Sequence, residues 1–144
     1  MSQLLSAVNA AASALDAQRA RMEVAVSNMA NAESTRGANG EPYRRRDVVL
    51  EAVPPDAFGK AMGAASGGAD GVRVAGVIES QEPFKKRYEP SHPDAGPDGF
   101  VQVPNVDVPE EMVNLLGAAR AYQANLTAIG LIRDTVQKAL ELAK

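Results

Sequence analysis

Two stretches of the chain space their apolar residues by alternating threes and fours. Toward one end, Met112, Leu115, Ala119, Tyr122, Leu126, Ile129, Arg133, Val136, Leu140 and Ala143 follow that alternation. A heptad seam of this length predicts one long helix whose narrow apolar stripe needs a partner. Toward the other end, Leu5, Val8, Ala12, Leu15, Arg19, Met22, Val26 and Met29 repeat the pattern. Each seam includes one arginine, Arg19 and Arg133, where a coiled coil tolerates a single polar residue that sets register. The first helix is predicted over residues 3–32, and the last starts near Asp107. Asp107 with Glu110 three residues later fits a capping box, Pro109 suits a first turn, and Glu110 and Glu111 sit where the helix dipole favours negative charge. The fold expected is mainly α, with long N- and C-terminal helices pairing as an antiparallel coiled coil around a small β-rich insert. A plain two-helix hairpin core has the same periodicity. Residues 1–38, 39–104 and 105–144 form the three segments of this scheme.

Between the helices the period changes. Helicity fails over residues 31–40, where Asn, Ser, Thr and Gly accumulate and Asn39-Gly40 offers a tight turn. Residues 43–53 read as a strand, opened by Arg44, Arg45 and Arg46 and closed by Pro54-Pro55. Alternation sets Arg45 on the face opposite the other two arginines, and the run reads either as a solvated face or as a docking patch for an acidic neighbour. Residues 58–71, rich in Gly and Ala, read as a flexible loop. Val72, Val74, Val77 and Ile78 mark a second strand, residues 84–88 a short third and residues 100–103 a brief extended segment. The first three are expected to form a hairpin or a three-stranded sheet too small to stand alone. Residues 90–99 are a turn region punctuated by proline and glycine.

Composition supports assembly more than chemistry. Aromatics make up 4% of the chain, and tryptophan is absent. Small side chains suit helices that pack closely along their length. A net charge of −3 lacks the basic footprint of a nucleic-acid binder. No cysteine is present, so disulfides, thiolate zinc sites and thiol catalysis are excluded. The first residues lack the basic start and continuous apolar block of a signal peptide, and no run is apolar enough to span a bilayer.

The candidate catalytic and metal sites are weak. His92 is the only histidine, which excludes a multi-histidine metal site. Ser91, His92 and a carboxylate could be imagined as a triad, yet no nucleophile elbow surrounds them. A loop histidine making a structural hydrogen bond fits better. Asp94 and Asp98 lack calcium-loop spacing and read as turn formers. Gly59-Lys60 lacks the rest of a phosphate-binding loop. Glu110-Glu111 are adjacent on a helix, do not face one another, and are explained by capping. The sequence argues against an enzyme, and no cofactor or metal is expected.

At the level of motifs the chain resembles a known family. Ser27-Asn28-Met29-Ala30-Asn31-Ala32-Glu33-Ser34 is similar to the signature that ends the N-terminal helix in bacterial flagellar rod and hook axial proteins. Gly40-Glu41-Pro42-Tyr43-Arg44 and Tyr88-Glu89-Pro90-Ser91-His92-Pro93-Asp94-Ala95 resemble the FlgC-type proximal rod subfamily. Asp98-Gly99-Phe100-Val101, Pro104-Asn105-Val106, Glu111-Met112-Val113-Asn114 and Ala119-Arg120-Ala121-Tyr122-Gln123-Ala124-Asn125 follow in the same order. The resemblance covers nearly the whole chain, while residues 58–71 match nothing in it and residues 130–135 match loosely.

The resemblance implies a non-enzymatic structural subunit of the flagellar basal-body rod. Such a subunit is exported without a cleaved leader by the flagellum's own type III apparatus and assembled into a torque-transmitting helical tube in the periplasm. Implied partners are other copies of the chain, other proximal and distal rod proteins, and the adaptor between the rod base, MS ring and export gate. On this reading Val8, Leu15, Met22, Met112, Leu115, Tyr122, Asn125, Ile129 and Val136 serve helix pairing and interfaces. Asn28 and Asn31 cap or turn the end of the first helix, and Arg120 bridges to an acidic group on another subunit or stays solvated. The alternative from another class is a coiled-coil adaptor or chaperone that never polymerises.

Overall fold

A computed structural model describes residues 2–37, 39–53 and 71–142. The Pro54-Pro55 strand end, the Gly59-Lys60 pair, nearly all of the 58–71 loop and the last seam position, Ala143, lie outside the described residues. Helix α1 spans Ser2–Ala30 and helix α2 spans Val108–Leu142. Between them run strands β1 (Arg46–Ala52), β2 (Val72–Glu79), β3 (Lys85–Tyr88) and β4 (Phe100–Val103).

The described strands form two separate ribbons, β1 with β2 and β3 with β4, where a single hairpin or three-stranded sheet was expected. The bonds flanking the first ribbon fix its sense. Val53 N–H donates to Gly71 O at 2.7 Å, and Ser80 N–H donates to Arg45 O at 2.8 Å, so early residues of one strand meet late residues of the other. In the second ribbon Lys85 faces Val103 and Tyr88 faces Phe100 in antiparallel register. After β2 the chain leaves its ribbon at Ser80 to Pro83, where the Asn105 amide donates to Glu82 O at 3.2 Å. Beyond it, β3 pairs with β4 and not with β2.

Both helices cover a stripe that differs from the predicted seams at every second position. On α1 the less exposed residues include Val8, Ala11, Leu15, Gln18, Met22, Ala25 and Met29, whereas Ala12, Arg19 and Val26 are exposed. On α2 they include Glu111, Leu115, Ala118, Tyr122, Asn125, Ile129, Ile132 and Val136, whereas Met112, Leu126 and Arg133 are exposed. Alternate positions are shared, and each intervening one moves back by one residue. Arg19 and Arg133, read as the polar register-setting positions of the seams, are exposed. A buried guanidinium needs partners for five donors, and the most buried places on the covered stripes include alanines instead: Ala25 is 3% and Ala118 0% exposed.

By compactness the chain divides into two units. One comprises Met1–Ala20, Val49–Gly76 and Ala118–Lys144, the other Arg21–Val48 and Val77–Gly117. In the first, Ser13 Oγ accepts from Val72 N–H at 3.0 Å and donates to Ala10 O at 2.8 Å, so one hydroxyl ties α1 to the start of β2. In the second, Val101 and Val106 are buried, as are the polar residues Asn28, Asn105 and Glu111.

The turn into β4 depends on a glycine. Gly99 has φ +76°, and an added Cβ would stand 2.8 Å from Tyr88 Cε2. Gly99→Ala combines left-handed strain with a clash, and is expected to destabilise by about 1–3 kcal/mol. Thermal denaturation checks this, and an unchanged melting temperature would contradict it.

A candidate interlocking site built on Asn28

The last turn of α1 contains two asparagines that work differently. Asn31 follows the helix and donates from Nδ2 to Ser27 O at 2.8 Å, adding a second bond to a carbonyl that already accepts the Asn31 N–H at 3.1 Å. Asn28 points inward, is 0% exposed, and takes no part in capping. Its Oδ1 accepts from Arg46 N–H at 3.0 Å and from the Tyr43 hydroxyl at 2.9 Å. Its Nδ2 donates to Arg46 O at 2.9 Å and to Glu111 Oε2 at 3.1 Å. An ionised carboxylate only accepts and a peptide N–H only donates, so these partners fix which end of the amide carries nitrogen. The Asn28 side chain thus acts toward Arg46 as a neighbouring strand would, at the residue where β1 begins.

Glu111, in the first turn of α2, is the acidic centre of the site and is 2% exposed. Besides Asn28 it accepts from Arg45 Nε at 2.6 Å. Arg45 spreads its other donors to Asp47 and Glu110, both at 3.2 Å. Burial pulls the Arg45 pKa down, but the Glu111 hydrogen bond and the charges of Asp47, Glu111 and Glu110 outweigh it, leaving the pKa above the ordinary arginine value. A cation with a raised folded-state pKa contributes its full stabilisation below its unfolded pKa and loses it only as pH rises through the higher folded value. Arg45 is therefore charged throughout the physiological range, and its contribution does not titrate there.

Asn105 completes the arrangement from the segment before α2, accepting Arg45 N–H on Oδ1 at 2.8 Å. Among the described residues, no buried side-chain nitrogen or oxygen lacks a partner. Asp107 caps α2 through Oδ1 to Glu110 N–H at 3.3 Å. The reciprocal half of the predicted capping box is missing, because the Glu110 carboxylate turns to Arg45 instead.

Sequence reasoning singled out Asn28 but expected it to cap α1. It missed Arg45, Asn105 and Glu111 as site residues. Arg46 keeps a half-exposed side chain, but Arg45 is neither solvated nor a patch awaiting another molecule, because its guanidinium is engaged by Glu111, Asp47 and Glu110 within the chain. The strand alternation was the usable signal, since Arg45 does face away from Arg44, which stacks on Phe84 at 4.3 Å, and from Arg46, which pairs with Glu79. Val8, Leu15, Met22, Leu115, Tyr122, Ile129 and Val136 are partly covered along their helices. Met112 is 59% exposed, and Asn125 donates back to Ala121 O of its own helix at 3.0 Å.

His92 Nδ1 accepts from Asp94 N–H at 3.1 Å, a structural loop bond of the expected kind. Asp94 is engaged by Arg36 at 2.6 Å and Thr35 at 2.9 Å, which pin the His92 loop to the turn after α1. Among the described residues no group of His, Cys, Asp or Glu could hold a metal ion, and no helix is long and apolar enough to cross a membrane.

What the arrangement can do is lock three distant chain segments into one joint, which is the work of a structural part. Residues 98–142, which include Asn105 and Glu111, match the family described as flagellar basal body rod FlgEFG protein C-terminal. The protein named flagellar basal-body rod protein FlgC from Salmonella typhimurium strain LT2 is 47% identical over 143 residues, covering 98% of each chain. Its namesake from Escherichia coli O157:H7 is 46% identical over 141 residues, again covering 98% of each. That from Bacillus subtilis strain 168 is 41% identical over 145 residues, covering 95% of this chain and 96% of its own. The chain belongs to the FlgC family of flagellar basal-body rod proteins.

Proposed function

We propose that the chain is a non-enzymatic structural subunit of the flagellar basal-body rod, which polymerises with other copies of itself and with other rod proteins into a helical tube that transmits torque. The observation that supports polymerisation most directly is the apolar character of α2 away from its covered stripe. Met112, Val113, Leu116 and Leu131 are between 52% and 70% exposed. A helix that is apolar well beyond one stripe normally lies among several neighbours. Within the subunit α1 and α2 pair as an antiparallel coiled coil along the stripes centred on Leu15, Met22, Tyr122 and Ile129, while the outward α2 residues meet adjacent subunits. Contacts of this heterologous kind propagate into helical assemblies. The chain reaches its periplasmic site through the flagellar type III export apparatus, and its neighbours include proximal and distal rod proteins and the adaptor at the rod base.

The test is Leu131→Glu, followed by recovery of the chain in isolated basal bodies. The expected result is a folded, exported protein whose melting temperature shifts by less than about 2 °C, as for an exposed position, but whose incorporation into basal bodies is lost together with swimming. Normal incorporation of the variant would remove the role assigned to this face. Finding only one copy of the wild-type chain per basal body would favour an adaptor.

A further inference from the structure

The β3–β4 ribbon has two dissimilar faces. Lys85 Nζ donates to Val106 O at 3.1 Å and lies 3.6 Å from Asp107, and Arg87 pairs with Glu33 at 2.7 Å. That face also carries Val101, which is 1% exposed, and it looks toward the start of α2. By strand alternation Lys86, Tyr88, Phe100 and Gln102 form the opposite face. There Tyr88 and Phe100 meet edge-on with ring centroids 5.3 Å apart, yet remain 65% and 41% exposed. In a chain with only three tyrosines and three phenylalanines, an uncovered aromatic pair is a poor use of apolar area unless something covers it. Lys86 has no ion-pair or hydrogen-bond partner among the described residues. A cleft of about 300 Å³ opens beside it, lined in part by Arg36, Pro42, Phe100 and Gln102.

A complementary surface exists in the same unit, on the far side of the ribbon. The first turns of α2 expose Met112, Val113 and Leu116, of which Val113 is 70% exposed. Beside them stands Glu110, its side chain 58% exposed and only its Oε1 engaged, by Arg45. Aliphatic side chains flanked by a carboxylate are the chemistry that an aromatic pair flanked by a lysine fits.

We propose that the Lys86–Tyr88–Phe100 face of one copy receives the Glu110–Val113–Leu116 surface of a second copy. This rests on the reading of the chain as a self-assembling rod subunit and names the surfaces by which copies meet. Because the two surfaces lie on opposite sides of the ribbon, the contact is head-to-tail and repeats from copy to copy, as a ring or a helix. Lys86 meets the unengaged Oε2 of Glu110, and Val113 and Leu116 cover the two rings.

The absence of cysteine makes a direct test possible in assembled basal bodies. Tyr88→Cys and Val113→Cys are made singly and together, the purified variants are checked to melt as the wild type does, and cells are treated with a thiol oxidant. The double variant is expected to give a ladder of cross-linked species in basal bodies, and either single variant none. Adding Lys86→Glu to the double variant is expected to lower the ladder's yield by roughly tenfold, whereas Lys86→Arg preserves it. No ladder in basal bodies that contain the double variant overturns the proposal while leaving the rod reading intact. A dimer formed as efficiently by one single variant shows a symmetric contact and also overturns it. Absence of the wild-type chain from basal bodies overturns the rod reading, and this proposal with it.

Discussion

Replacing Asn28 by alanine is expected to destabilise the chain by about 3–5 kcal/mol, which for a domain of this size lowers the melting temperature by roughly 10–20 °C. The reason is the partners left behind. Asn28 makes four hydrogen bonds, two of them to the main chain of Arg46 and one to the buried Glu111 carboxylate. Alanine removes all four and leaves a peptide N–H, a peptide C=O and one oxygen of the buried Glu111 carboxylate without the amide. Each such group costs about 1–3 kcal/mol when unsatisfied, and relaxation recovers part of the sum. Urea denaturation with unchanged cooperativity checks the figure. A loss below about 1 kcal/mol would mean that water enters the site and replaces the amide, so that the joint is not the stabilising feature described.

The second large effect is expected at Glu111. Glu111→Ala strands Arg45, whose side chain is only 18% exposed, and breaking one partner out of a buried pair costs about 3–5 kcal/mol. Glu111→Gln should be milder, because a neutral oxygen still accepts from Arg45 and because Asp47 and Glu110 keep the guanidinium company. Replacing both partners by apolar residues, as in Arg45→Met with Glu111→Leu, should recover much of the loss, since a buried pair repays little beyond its own desolvation. A double-mutant cycle measures this coupling directly. If the double variant is as unstable as the sum of the singles, the two side chains do not act as a pair.

Much of the architecture was legible in the sequence, for reasons that also explain the errors. The long helices and four strands follow from period and turn chemistry, and Asp107 was visible as a cap. The seams were half right because alanine is so abundant that neighbouring heptad tracks carry nearly equal apolar content. Choosing between Ala25 and Val26, or between Ala118 and Ala119, takes knowledge of how closely a partner approaches. The ribbon pairing was missed because β3 takes β4 as its partner, a segment read only as briefly extended, and nothing local in residues 84–88 marks that choice. Arg45 with Glu111 was missed for a related reason. A glutamate in a first turn satisfies the rules for capping and dipole so well that nothing local marks it as buried. Asn28 was noticed, but its ability to stand in for a strand depends on where residue 46 lies in space.

The way Asn28 engages β1 bears on how this joint tolerates sequence drift. It reads the peptide group of Arg46 and not its side chain, which extends outward to Glu79. Asn105 likewise reads the amide of Arg45. Position 46 can therefore vary in side chain with little effect on the joint, provided that it keeps a peptide hydrogen; proline alone removes it. Glu111 is read through its carboxylate and has no such latitude. The joint thus combines one contact indifferent to residue identity with one that demands it, and substitutions should accumulate on the strand side well before they appear on the helix side.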